Sequence, residues 1–215
     1  MNKKIRFAIG QVVVLMFITG CTICSSKKIT CTAFDNPAFF KWFPYKADNY
    51  MLYKNVATSD TFSYSLQHAY ISGAYEINRG GFNTSVMATC EANASFASSY
   101  SGSNVHGQLS IDYLINNDQG TTIFTIYFNN SYWYTAGITD TGFVQATNNN
   151  GADRATVANF SALTLSNGTT YHTVSALTLD TAINKTERAY KLLVAKNIGI
   201  IGCEMYPSKQ QWLIQ

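Results

Sequence analysis

The chain has 215 residues, of which 13% are charged, with 15 Lys and Arg against 12 Asp and Glu. Lys3, Lys4 and Arg6 account for the whole excess, so the stretch after residue 20 carries twelve basic and twelve acidic side chains. Nothing in that balance suggests nucleic-acid binding, which wants a basic face, and a body rich in Thr, Ser, Asn, Gly and Tyr with only three prolines suits β structure.

In chain order, the basic start is followed by FAIGQVVVLMFITG, an uncharged run that ends in small residues. These are the parts of an export signal. The run is interrupted by Gln11 and falls short of the roughly 20 apolar residues of a spanning helix. Its end, Ile18-Thr19-Gly20-Cys21, resembles the bacterial lipobox. The resemblance implies that residues 1–20 are a signal peptide and that the Cys21 thiol receives diacylglycerol. Residues 21–33 would then form a lipidated tether, held to the membrane by palmitate-type chains. Each buried methylene contributes about 0.8 kcal/mol, so several chains hold firmly where one does not. Thr22 stands where inner-membrane retention places Asp, which implies the outer membrane. The absence of an acidic run in TICSSKK implies a periplasm-facing position. The alternative is an ordinary secretory signal, with Cys21 as one more disulfide cysteine.

If Cys21 is acylated, Cys24, Cys31, Cys90 and Cys203 remain, an even number for an oxidising compartment. Four cysteines allow three pairings. Cys90–Cys203 is favoured because both fall on the apolar side of a predicted strand, and Cys31–Cys90 is its rival. No Cys-x-x-Cys pair survives acylation, and His68, His106 and His172 are scattered. No metal and no cofactor are therefore expected.

Residues 34–215 read as a single β-rich domain without an internal linker. Phe39, Phe40, Trp42, Phe43 and Tyr45 form the densest aromatic stretch, a plug for one end of the core where the tether enters. Strict alternation follows in FSYSLQHAY (62–70), VMATCEANASF (86–96) and QLSIDYLI (108–115). Such a period of two places one face on a core and the other toward water. TTIFTIYF (121–128) is apolar on both faces and reads as a central strand. NRGG, NNDQG, NNNGAD and SNGT are hairpin or loop signals between the runs. Together these predict roughly ten strands in an all-β, antiparallel β-sandwich of jelly-roll-like form. A curled half-barrel is the alternative.

The ends of this domain carry a resemblance. Gly168, Tyr171 and Val174, then Ala195, Lys196, Gly199, Ile200, Ile201 and Glu204, then Trp212 and Leu213 match the closing segments of small Bacteroidota lipoproteins. Trp42-Phe43-Pro44-Tyr45 is similar to the opening of uncharacterised lipoproteins from the same bacteria. The resemblance implies an address and a fold, and no chemistry. Physically, Asn197-Ile198-Gly199 reads as a tight connection between two strands, with Gly199 supplying permissive backbone angles.

No G-x-S-x-G, H-E-x-x-H or phosphate-cradling glycine loop is present. Asp35, Asp48, Asp112 and Glu91 stand alone in sequence, and His68 falls on an apolar strand face, so no catalytic residue is assigned. The expected function is that of a membrane-anchored envelope lipoprotein, a non-catalytic binding or structural module for a glycan or an envelope protein. Tyr132, Trp133 and Tyr134, flanked by Asn and Ser, are the ligand-contact candidates, unless Trp133 caps the core instead. The alternative is a carbohydrate-active enzyme on a β-sandwich scaffold, whose two carboxylates would converge from distant strands.

Overall fold

The computed structural model describes residues 35–71, 75–78, 88–101, 109–116, 121–145, 155–180 and 186–215, all within one compact unit, Cys31–Gln215. The signal and tether, with Cys21, Cys24 and Cys31, lie outside these residues, as do most of the NRGG, NNDQG and NNNGAD turns. Among the described residues there is one short helix, α1 (Pro37–Trp42), and the rest of the regular structure is strand. The first strands are β1 (Tyr50–Asn55), β2 (Thr61–Ile71), β3 (Tyr75–Asn78), β4 (Ala88–Ser101), β5 (Ser110–Asn116), β6 (Thr121–Phe128) and β7 (Ser131–Thr135). They are followed by β8 (Gly137–Thr139), β9 (Gly142–Val144), β10 (Thr156–Thr164), β11 (Thr170–Thr178), β12 (Arg188–Ala195), β13 (Gly199–Tyr206) and β14 (Gln211–Ile214). No helix among the described residues is long and apolar enough to cross a membrane.

The expected all-β antiparallel architecture is what the chain adopts. One twelve-stranded sheet runs β10-β11-β12-β13-β14-β1-β2-β4-β5-β6-β7, and β3 continues beside β4 where β2 ends. Nearly every strand pairs with its neighbour in sequence, so the order is that of a meander, and the first and last strands join at its middle. The two halves of this sheet face each other across a shared core. Tyr53 of β1 lies 5.9 Å from Phe128 of β6 between ring centroids, and the Tyr64 hydroxyl donates to Asn129 Oδ1 at 3.1 Å. The Ala189 amide at the start of β12 donates to the carbonyl of the same Asn129.

Alternation in sequence becomes burial in the fold. Phe62, Tyr64 and Leu66 of β2 are buried, as are Ile111 and Tyr113 of β5 and Phe124, Ile126 and Phe128 of β6. Each such side chain contributes roughly 1.5–3 kcal/mol on leaving water. One expectation is corrected here. TTIFTIYF is next to the last strand of the sheet, not a central one, and its second face carries the partly exposed Thr125 and Tyr127.

The strands that are buried on both faces lie in the C-terminal half. Leu177, Leu192, Val194 and Ile200 belong to the main core, whereas Val174, Ala176, Leu193, Ala195 and Ile201 form a second cluster with Leu213 and Leu165. That cluster is roofed by the end of the β10–β11 hairpin. At Thr173 the backbone enters the left-handed region (φ 53°), and from Val174 onward β11 pairs with β12. Leu163 and Tyr171, beyond that kink, pack on the second cluster, and Ser166 at the hairpin tip hydrogen-bonds Gln211 of β14. The hairpin end is thus a strap reaching over to β14.

The aromatic plug and the closing hairpin are two halves of one structure. Asn36 caps α1 by accepting from the Phe39 amide, with Pro37 at the first helical position. The helix places Phe39, Trp42 and Phe43 in the core with no exposure, while Phe40 stays at the surface. Trp42 Nε1 donates to the Thr139 carbonyl at 2.8 Å. The Tyr45 hydroxyl oxygen accepts from the Ile200 amide at 2.7 Å. Lys41 and Lys196 both reach Asp140, at 2.9 and 3.1 Å, and these hydrogen bonds and charges hold that carboxyl below the usual range.

Candidate binding surface

Two consecutive asparagines with positive φ, Asn129 (46°) and Asn130 (60°), turn β6 directly into β7. A two-residue connection with both φ values positive matches the twist of the strands it joins. The register is then fixed: Tyr127 opposes Tyr132, Ile126 opposes Trp133, and Thr125 opposes Tyr134. Because side chains alternate, the pairing sorts the SYWYT stretch into an inner and an outer face.

Trp133 falls on the inner face and is fully buried, so its assignment as a ligand contact is corrected: it is a core residue. Ser131 and Thr135 flank it on the same side, both buried. Among the described residues the buried Ser131 and Thr135 hydroxyls and the buried Trp133 indole N–H find no hydrogen-bond partner. Tyr132 and Tyr134 fall on the outer face, where Tyr132 is 52% exposed and Tyr134 is partly buried. The structure adds one residue that sequence reading placed inside the protein. Tyr127 packs against Tyr132 with ring centroids 4.7 Å apart and an interplanar angle of 48°. Its hydroxyl donates to Asn130 Oδ1 at 3.3 Å, which holds the ring over the turn. The outer face of the hairpin is therefore a three-tyrosine surface edged by a side-chain amide.

The favoured pairing, Cys90–Cys203, is corrected as well. Cys203 is a free thiol, 1% exposed in the main core, and burial pushes its pKa above the ordinary thiol range. Cys203 pairs with Trp212, which opposes Asn55 at the β1–β2 turn. Strand β4 comes nearest to that end of the sheet at Ser101, opposite Ser63. Cys90 lies eleven residues further along β4, roughly 35 Å at about 3.3 Å per residue. A disulfide needs Cα atoms about 4.4–6.8 Å apart, so the Cys90–Cys203 bridge is excluded by register. The Cys90 side chain lies outside the described residues, and so does the partner in the rival pairing, Cys31.

The carboxylates with side-chain partners are held separately. Asp60 accepts from Thr58, Asp112 from Ser110, Glu187 from Ser208 and Glu204 from Tyr190, while Asp140 meets the two lysines. Among the described residues no three His, Cys, Asp or Glu side chains are grouped as a metal site would require. His68 sits at a bulge in the β2–β4 ladder, and its side chain lies outside the described residues.

Comparison with protein-family models, with curated proteins and with solved structures finds no match to this chain. The fold and this surface define its class on their own: an all-β antiparallel sandwich with an aromatic hairpin face.

Proposed function

We propose that this protein is a lipid-anchored module of the cell envelope that binds a glycan without catalysis, through the outer face of the β6–β7 hairpin. The observation that carries the reading is the half-buried Tyr127 packed on the exposed Tyr132, with Asn130 beside the pair. Aromatic rings combine a large apolar face with a polar tip, and a sugar ring offers C–H faces to the one and hydroxyls to the other. The turn that presents the pair is fixed by two left-handed asparagines, so little ordering is needed on binding.

The test is titration of the detergent-solubilised full chain with a panel of soluble oligosaccharides. Tyr132→Ala should weaken binding of the best ligand about 3- to 10-fold, as loss of one aromatic contact of about 0.5–1.5 kcal/mol implies. Thermal stability should change little, because Tyr132 is exposed. Unchanged affinity in both Tyr132→Ala and Tyr127→Ala would remove this face from the reading. Turnover of a glycan, abolished by changing a single carboxylate, would replace it with the enzyme alternative.

The anchor rests on Cys21 and the run before it. Mass spectrometry of membrane-extracted protein should find a diacylglycerol-bearing Cys21 at the mature N-terminus. Cys21→Ala should leave the membrane fraction. An unmodified Cys21 in membrane-bound wild-type protein would mean another mode of attachment.

A further inference from the structure

We propose that two copies of this chain pair edge to edge through strand β10, antiparallel and about a two-fold axis at Ser161. Strand β10 ends the sheet: β11 runs along one side, and no strand among the described residues runs along the other. From Ala158 to Ala162 every residue is exposed, so this stretch lies open to solvent. The opposite end of the sheet is different. Strand β7 is only five residues long, and the Ala155 amide already donates to its Tyr134 carbonyl at 3.3 Å.

The tip of the hairpin fixes which backbone groups face outward. The Leu165 amide donates to the Thr169 carbonyl at 2.9 Å, so Leu165 bonds toward β11. Bonded and outward-facing residues alternate along an antiparallel strand, and the β10–β11 pairing keeps one register throughout. Leu163 therefore bonds toward β11 as well, while Ala158, Phe160, Ala162 and Thr164 turn their N–H and C=O groups to the open edge. Such a row is a template for another strand, which proteins ordinarily blunt with charge or proline. Neither is present here. Between Arg154 and Asp180 there is no Asp, Glu, Lys, Arg or Pro, in a chain that is 13% charged.

The missing charge also says what the partner is. A two-fold axis sets a surface against its own copy, and like charges directly opposite one another destabilise a strand pair. An uncharged strand is the kind that tolerates a second copy of itself. With the axis at Ser161, Phe160 stands opposite Ala162 of the second copy, and Ala158 opposite its Thr164. Every outward N–H and C=O of these residues then has a partner, and each phenyl ring lies beside a methyl group. Ser161 faces its own copy in a non-hydrogen-bonded pair, where Cα atoms come within about 4.5 Å. The hairpin is held ready for this contact. Leu163 and Tyr171 pack on the second cluster, and Ser166 ties the tip to Gln211, so little ordering is needed on pairing.

The experiment is sedimentation of the detergent-solubilised full chain over a range of concentrations, in detergent matched to the solvent density. A concentration-dependent shift from one protein mass to two is expected. Ala162→Lys should raise the dissociation constant at least about tenfold, because the two-fold axis repeats each loss. Its thermal stability should stay close to that of the wild type, since Ala162 is exposed. In hydrogen exchange the Ala158, Phe160 and Thr164 amides should be protected at high concentration and lose that protection in Ala162→Lys. The Leu163 and Leu165 amides should stay protected in both. Ser161→Cys should give a disulfide-linked dimer on mild oxidation, because the expected separation falls within the roughly 4.4–6.8 Å that a disulfide spans. Asn167→Cys, at the exposed tip, should give far less. Tyr132→Ala should leave the masses unchanged, so this edge and the tyrosine face are tested apart. A single mass at all concentrations, a dimer that Ala162→Lys leaves intact, or assemblies that grow beyond two copies would overturn the proposal.

Discussion

Replacing Trp133 with alanine should cost about 3–5 kcal/mol of folding stability, the usual range for deleting a buried large aromatic side chain. The indole is fully buried in the main core, opposite Ile126 in the β6–β7 ladder. Its removal leaves a void that a hairpin fixed at both ends has little freedom to close. Chemical denaturation of the full chain should show the midpoint fall with the slope unchanged. Trp133→Phe separates volume from polarity. It also gives up some volume, but the buried indole N–H, which has no partner among the described residues, disappears. Such a donor costs roughly 1–3 kcal/mol, so the phenylalanine variant should lose less than half of what alanine loses. Oligosaccharide affinity should stay within about twofold in any Trp133 variant that remains folded, since the ring does not reach the outer face. An alanine variant as stable as the wild type would contradict the core placement.

The reason Trp133 is misplaced by sequence alone is instructive. In Ser131-Tyr132-Trp133-Tyr134-Thr135 three adjacent aromatics hide the alternation, and the polar flanks suggest a loop. The alternation is present nonetheless, as Ser131, Trp133 and Thr135 against Tyr132 and Tyr134. The deciding signal was the Asn129-Asn130 pair, two residues that tolerate positive φ and so permit an immediate hairpin. Tyr127 was missed for the complementary reason: a run that is apolar on both faces does not say how close it lies to the edge of a sheet. The strands with clean alternation were readable because their periodicity and their burial have the same cause. The disulfide was not, because a cysteine's face follows from local pattern while its partner follows from register across strands.

The joining of the aromatic plug to the closing hairpin leads to the second large effect, at Gly199. Asn197 and Gly199 both take positive φ, 65° and 100°, so that β12 can turn into β13. At 100° a residue with a side chain is strained whatever surrounds it. Here the space is also filled, because a Cβ on Gly199 would overlap the hydroxyl end of the Tyr45 ring. That hydroxyl is where the Ile200 amide is satisfied, so moving Tyr45 aside would also break a backbone hydrogen bond. Gly199→Ala should therefore cost about 2–6 kcal/mol, combining backbone strain with overpacking of a filled site. The two contributions can be separated by a cycle with Tyr45→Ala. With the ring gone, adding the methyl group at position 199 should cost only the strain, about 1–3 kcal/mol. A coupling of at least about 1 kcal/mol between the two positions in denaturant unfolding is the expected result. Additive losses would mean that Tyr45 does not occupy the space above Gly199.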